Sequence, residues 1–133
     1  MTSESRHISE RIDRAAGEVY AYACDPANLP EWAPGLGSSV AEVDGRWFVQ
    51  TAEGRIEVEF APRNEFGVLD HHVTLPTGEI VYIPLRVIAD EAGCEVVFTL
   101  RRLAGMSDED YARDAAAVAA DLARLKAVME QRR

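Results

Sequence analysis

The C-terminal end of the chain predicts one long amphipathic helix, and this helix constrains the fold more than any other feature. Ser107 is a suitable N-cap, three acidic residues follow it, and the helical pattern continues to about Gln131. Apolar residues recur at helical spacing on one stripe: Tyr111, Ala115, Val118, Leu122, Leu125 and Met129. The rest of the chain must therefore supply a large apolar surface that covers this stripe.

The preceding residues predict a sheet that can provide that surface. Residues 5–13 alternate as in a strand, residues 15–25 predict a short helix, and the Pro-rich segment 25–37 has room for at most one more short helix. Six strands at hairpin spacing follow: Ser38–Val43, Arg46–Thr51, Arg55–Ala61, Gly67–Thr74, Glu79–Ala89 and Cys94–Leu103. This order predicts an α+β fold in which a curved antiparallel sheet of about seven strands wraps around the long helix.

Length, composition and charge narrow the class of protein. The 133 residues, 47% of them hydrophobic, suit a single domain over residues 1–133. No apolar run approaches the roughly 20 residues of a membrane span, and the polar N-terminus lacks a signal-peptide core, so we expect a cytoplasmic protein without membrane insertion. The net charge of −9 argues against nucleic-acid binding, and we expect Cys24 and Cys94 to stay reduced.

Two stretches resemble a known superfamily. They are "ISERIDRAAGEVYAYACDPANLPEWAPGL" (Ile8–Leu36) and "GMSDEDYARDAAAVAADLARLKAVME" (Gly105–Glu130). Both are similar to the SRPBCC superfamily, also called START-like, Bet v 1-like or helix-grip, and most of all to its small bacterial polyketide cyclase/dehydrase-like proteins. The resemblance covers essentially the whole chain and implies the helix-grip fold. The resemblance does not imply one particular activity, because this fold hosts lipid carriers, hormone receptors, cyclases and chaperone activators.

Strand alternation, followed from turn to turn, predicts which side chains face the helix. We place turns at Glu53-Gly54, Arg63–Phe66, Pro76-Thr77 and Asp90–Gly93. The predicted inner face is then Trp47, Val49, Thr51, Ile56, Val58, Phe60, Leu69, His71, Val73, Ile80, Tyr82, Pro84, Arg86, Val97, Thr99 and Arg101. One wrong loop length exchanges the predicted inner and outer faces of all later strands. The opposite phase would bury a second apolar set, which otherwise forms a candidate homodimer surface: Val81, Ile83, Leu85, Phe98 and Leu100.

The predicted inner face contains several titratable groups. A buried guanidinium needs a partner, and Glu10 is the inward acid that we assign to Arg101, which leaves Arg86 to a ligand anion. The candidate ligand-binding residues are Trp32, Trp47, Val49, Val58, Leu69, His71, Tyr82, Arg86, Arg101 and Tyr111, and the candidate catalytic residues are His71, Tyr82 and Arg86. The alternative role of Trp32, Trp47 and His71 is ordinary core, and the alternative for Tyr82 is a hydroxyl directed to water at the cavity rim.

The histidines do not predict a metal site. His71 and His72 are neighbours on a strand and point to opposite faces, and His7 is the only other histidine. We therefore expect no metal and no cofactor, and we assign Asp70 and His72 to the outer face without a role.

Three functions remain open. The first is binding of a small hydrophobic or aromatic ligand, acidic or polyketide- or lipid-like, in an internal cavity large enough for a bicyclic aromatic or a medium-chain acid. The second, which the resemblance implies, is a cofactor-free polyketide cyclase/dehydratase. The third is a protein–protein adaptor that uses the apolar outer face of the later strands.

Overall fold

The computed structural model describes residues 4–33 and 39–132 of the chain. The elements, in chain order, are β1 (Ser5–Ile12), α1 (Ala16–Ala23), a 3₁₀ turn (Pro26–Asn28), α2 (Leu29–Trp32), β2 (Ser39–Val43), β3 (Arg46–Thr51), β4 (Gly54–Phe60), β5 (His71–Thr74), β6 (Ile80–Ile83), β7 (Leu85–Asp90), β8 (Gly93–Arg101) and α3 (Asp108–Gln131). This order confirms the predicted α+β class. The predicted strand start at Ser38 lies outside the described residues.

The predicted C-terminal helix is present as α3. The Ser107 hydroxyl accepts a hydrogen bond from the Asp110 backbone N–H, as an N-cap should. Val118 of the predicted stripe is half-buried. Four other residues of the stripe are buried: Tyr111, Leu122, Leu125 and Met129. The helix packs against β1, α2 and β8, so the stripe is covered as the sequence requires.

The described strands form two antiparallel sheets, in the orders β1-β8-β7 and β2-β3-β4-β5-β6. The single strand predicted over Glu79–Ala89 is divided at Pro84 into β6, which pairs with β5, and β7, which pairs with β8. Proline has no N–H with which to continue a ladder. Backbone bonds from Leu69 N to Leu85 O and from Val87 N to Gly67 O, both 2.8 Å, tie β7 to the segment before β5.

The inner face of β3, β4 and β5 is as predicted. The β3–β4 turn lies at Ala52-Glu53, one position earlier than expected, and pairs Val49 with Ile56. Because this shift moves the register by two residues, it leaves the faces unchanged. Val58 pairs with Val73, and the inward residues of this region are buried: Val49, Ile56, Val58, Leu69, His71 and Val73.

The predicted faces of all later strands are wrong. The β5–β6 loop has three residues, Pro76–Gly78, because the Leu75 N–H donates to Glu79 O and Thr74 pairs with Ile80. The extra residue is Gly78, whose φ of 92° suits the left-handed position of a three-residue hairpin loop. Ile80 is 63% exposed, and the outward set that we predicted to face inward comprises Ile80, Tyr82, Arg86, Val97, Thr99 and Arg101.

The opposite phase is therefore correct. Leu85 is 1% exposed, and its inward neighbours on the three strands are Val81, Ile83, Phe98 and Leu100. This set faces the helix and cannot serve as the outer apolar surface of a homodimer or an adaptor. Pro84 lies between the two inward residues Ile83 and Leu85, and it is not part of the inner face.

Gly78→Ala tests the corrected loop. A Cβ at Gly78 meets no atom within 4 Å, so the substitution costs only the strain of the left-handed conformation, about 1–2 kcal/mol of unfolding free energy. Gly17→Ala is the matched control, because a Cβ there also has open space but the residue is helical. We expect the control to be neutral or stabilising in urea denaturation. Equal effects of the two substitutions would contradict the loop assignment.

Candidate ligand cavity

A cavity of about 240 Å³ lies between α3 and the inner faces of the sheets. Most of its wall is apolar, and the strands contribute through the phase described above. Its lining comes from α2, β4 to β8, and α3: Leu29, Trp32, Ala33, Val58, Phe60, His71, Val73, Ile83, Leu85, Phe98, Leu100, Asp114, Ala117, Val118, Asp121 and Leu122.

A groove of about 800 Å³ adjoins this cavity. It lies where β6 and β8 separate beyond Pro84, whose carbonyl accepts the Thr99 N–H at 3.0 Å. The groove and the cavity share Val73, Ile83, Phe98, Leu100 and Asp114 in their walls. The groove therefore gives the cavity a route to the surface through the split in the sheet.

His71 is the histidine of the cavity wall. It is 8% exposed, and its ring lies 5.0 Å from that of Phe60 and 6.5 Å from that of Phe98. Its Nδ1 lies 3.0 Å from the Leu69 carbonyl oxygen. Because a carbonyl only accepts, Nδ1 carries the proton and donates. Burial lowers the pKa of His71, which favours the neutral ring and leaves Nε2 as a hydrogen-bond acceptor.

Trp32 of α2 lines the same cavity as His71. It is 4% exposed, and its indole Nε1 is the buried side-chain nitrogen or oxygen that lacks a hydrogen-bond partner within residues 4–33 and 39–132. Most buried polar atoms in folded proteins are paired. An orphan donor on a cavity wall is thus a site where a ligand can supply the missing acceptor.

The charges at the cavity are negative. Asp114 and Asp121 of α3 line it, and no Lys or Arg of the described residues does. Burial and the neighbouring Asp110 raise the pKa of the Asp114 carboxyl. Both aspartates lie at helical spacing from Val118, on the flank of the apolar stripe. That spacing is the signal by which sequence reasoning, which did not select them, could have found them.

Arg86 is held on the outer side of the sheet. Its Nε and Nη2 donate to the two carboxylate oxygens of Asp70 at 2.8 and 2.7 Å. The same carboxylate accepts the Tyr82 hydroxyl and, at 2.9 Å, the Leu85 backbone N–H. We call Asp70, Tyr82 and Arg86 the outer cluster. Asp70 does point outward as predicted, but it is buried within this cluster.

The side chains of the outer cluster satisfy one another, so their presence needs no ligand. The Arg86 guanidinium, with the Tyr82 hydroxyl and the Leu85 N–H, holds the pKa of Asp70 well below its ordinary value despite burial. In turn, hydrogen bonding to Asp70 raises the pKa of Tyr82 and of Arg86. His72 lies beside Tyr82 on the same outer face, with ring centroids 5.0 Å apart. The cluster cross-links the segment before β5 to β6 and β7.

The structure divides the predicted site residues into three groups. Those in the cavity wall are Trp32, Val58 and His71. Tyr82 and Arg101 border the groove, where the split exposes the edges of β6 and β8. The others lie outside both: Trp47, Val49, Leu69, Arg86 and Tyr111.

The contacts of Arg101 and Tyr111 also differ from those predicted. Arg101 lies opposite Ser5, while Glu10 lies opposite Val96, so the predicted Glu10–Arg101 pair is wrong. Tyr111 is buried against the last strand, where its hydroxyl donates to Leu100 O at 3.2 Å.

Within the described residues, no group of three or more His, Cys, Asp or Glu side chains is arranged to hold a metal ion. None of the helices described is long and apolar enough to cross a membrane.

A curved antiparallel sheet closed by a long C-terminal helix over an internal cavity defines the helix-grip class of α+β proteins. Residues 5–130 match the family described as polyketide cyclase/dehydrase and lipid transport. The chain belongs to this family, which confirms the resemblance found in its sequence. A search of curated protein sequences found no match.

Solved structures show the same fold at low sequence identity. A protein from Bacillus thuringiensis aligns with a TM-score of 0.75 at 15% identity, over 96% of this chain and 100% of that one. DynU16, from the dynemicin biosynthetic locus, gives 0.72 at 14% over 98% of this chain and 48% of its own, so this chain spans about half its length. Norcoclaurine synthase from Thalictrum flavum gives 0.67 at 11%, over 99% and 96%.

Proposed function

We propose that the protein binds a small hydrophobic ligand, aromatic or polyketide-like, in the cavity between α3 and the sheets. The observation that carries this proposal is the apolar cavity itself, which opens through the split between β6 and β8. The cavity volume of about 240 Å³ is slightly below the range of roughly 300–1,000 Å³ typical of small-molecule sites, and the adjoining groove adds about 800 Å³. Membership of a family described as polyketide cyclase/dehydrase and lipid transport supports the same ligand class.

The expectation of an acidic ligand does not enter this proposal. It depended on an inward Arg86 without a partner, and Arg86 instead lies on the outer face in contact with Asp70. The walls of the cavity carry carboxylates rather than cations.

The test uses a substitution that fills the cavity from the helix. Naphthalene, a bicyclic aromatic probe, should raise the melting temperature of the parent protein by binding its folded state. Ala117→Trp places a large ring in the cavity wall and should abolish most of this shift. Ala119→Trp, at a position of the same helix that lines neither the cavity nor the groove, should retain it. Retention of the shift in both variants, or no shift in the parent, would reject the cavity as the binding site.

A second candidate function is a cofactor-free polyketide cyclase/dehydratase. The observation that favours it is the neutral His71, whose Nε2 can accept a proton inside an apolar cavity, with the Asp114 carboxyl of raised pKa in the same wall. Protein-dependent ring closure of a linear poly-β-ketone thioester, followed by absorbance, would favour this function over binding alone. Tyr82 and Arg86 are not assigned to this chemistry.

Several expectations from the sequence stay predictions beside this proposal. They are the single domain over residues 1–133, the cytoplasmic location, the reduced state of Cys24 and Cys94, and the possible homodimer. Of these, a homodimer would now need a surface other than the apolar set that faces the helix.

A further inference from the structure

We infer that the cavity selects a ligand without a negative charge that presents a hydrogen-bond acceptor to Trp32 Nε1 and a hydrogen-bond donor to His71 Nε2. This inference rests on the proposed function, and it names the ligand chemistry of that site. It is carried by Trp32 Nε1 and His71 Nε2, two ring nitrogens of the wall that make no hydrogen bond within the described residues, and by the charges around them.

The Trp32 indole provides the donor. Its ring lines the cavity, and its Nε1–H is buried without an acceptor in the described part of the chain. An unsatisfied buried donor is unfavourable by about 1–3 kcal/mol. A ligand carbonyl or ether oxygen in the cavity would satisfy the N–H, whereas a hydrocarbon of the same shape would not.

The His71 ring provides the acceptor. Its Nδ1–H is committed to the Leu69 carbonyl, and the ring lies beside those of Phe60 and Phe98. With Nδ1 protonated in a neutral ring, Nε2 can only accept. A hydroxyl or N–H group of the ligand therefore suits this nitrogen, while a carboxylate does not.

The surrounding charges exclude an anion. Asp114 and Asp121 line the same cavity, and no cationic side chain of the described residues lines it. Transfer of a ligand carboxylate into this wall would bury its charge without a cationic partner among the described residues, beside the carboxyl of Asp114. A ligand without a negative charge that has both an acceptor and a donor meets all three conditions.

The experiment measures the dissociation constants of naphthalene, 2-acetylnaphthalene, 2-naphthol and 2-naphthoate by calorimetry at pH 7. We expect the ketone and the naphthol each to bind roughly 3- to 10-fold more tightly than naphthalene, the gain expected of one hydrogen bond. We expect 2-naphthoate to bind more weakly than naphthalene. Naphthalene reports on the cavity itself, so a failure of the proposed function appears as no naphthalene binding, which would overturn this inference with it.

Variants then assign each gain to its residue. Trp32→Phe should abolish the extra affinity for the ketone and leave naphthalene binding in place, whereas Trp47→Phe, outside the cavity wall, should preserve it. His71→Phe, which keeps a ring between Phe60 and Phe98, should abolish the gain for 2-naphthol, and His72→Phe should not. If His71→Phe does not fold, the ketone series with Trp32→Phe decides alone.

Two results would overturn the inference while the proposed function stands. One is naphthalene binding with no gain for the ketone, or with a gain that Trp32→Phe retains. The other is tighter binding of 2-naphthoate than of the ketone, which would place a cation in the site.

Discussion

Leu122→Asp is expected to lower the free energy of unfolding by at least about 3 kcal/mol. Leu122 is 1% exposed on the buried stripe of α3, where it also forms part of the cavity wall. The substitution removes the apolar contacts of leucine and places a carboxylate in an apolar site that already contains Asp114 and Asp121. Urea denaturation followed by circular dichroism measures the loss.

Ala123→Asp is the matched control for this prediction. It adds the same carboxylate one position along α3, where the side chain is exposed. Surface substitutions of this kind change stability by about 0.5 kcal/mol or less. Similar unfolding midpoints for the two variants would contradict the packing of α3 against the sheets.

Asp70→Ala is expected to lower the free energy of unfolding by about 2–4 kcal/mol. Asp70 is 5% exposed, and its carboxylate joins Arg86, the Tyr82 hydroxyl and the Leu85 N–H. Its removal leaves the Leu85 N–H without this acceptor at the break between β6 and β7. Asp90→Ala is the control, because Asp90 pairs with Arg11 at the surface, and exposed pairs contribute about 0–1 kcal/mol. Equal losses of unfolding free energy in the two variants would contradict the structural role of the outer cluster.

The pH dependence gives a second readout of Asp70. Since its folded-state pKa lies below the unfolded value, Asp70 contributes stability that is fully present above the ordinary carboxyl pKa of about 3.9. This contribution is lost as the pH falls from there through the folded-state pKa. Asp70→Ala should therefore flatten the acid side of the stability profile measured from pH 6 to pH 2.

The sequence predicts the fold well because its strongest signals are local. Ser107 and the apolar stripe predict α3, and alternation predicts β1, β3 and β4, since periodicity reports directly on burial. Strand alternation predicts Pro84 as an inward strand residue, although a proline without an N–H is itself a signal for the break between β6 and β7. The family resemblance depends on β1, α1, α2 and α3, which lie in the stretches Ile8–Leu36 and Gly105–Glu130.

The site is harder to predict because strand phase depends on a single loop residue. Counting Gly78 as part of the strand, rather than as the left-handed third residue of the loop, exchanged the two faces of every later strand. That one shift placed Arg86 inward and led to the expectation of an anionic ligand. The unpartnered Trp32 Nε1 is a property of three-dimensional packing, and no pattern in the sequence reports it.

The most direct test of ligand binding in this cavity is a titration followed by the tryptophan indole N–H signals in a ¹⁵N–¹H correlation spectrum. The chain has two tryptophans, and Trp32→Phe assigns their signals. On addition of 2-acetylnaphthalene, we predict a saturable downfield shift of the Trp32 indole proton while the Trp47 signal stays in place. A Trp32 signal that does not move, with shifts confined to the outer face around Tyr82 and Arg86, would contradict the account.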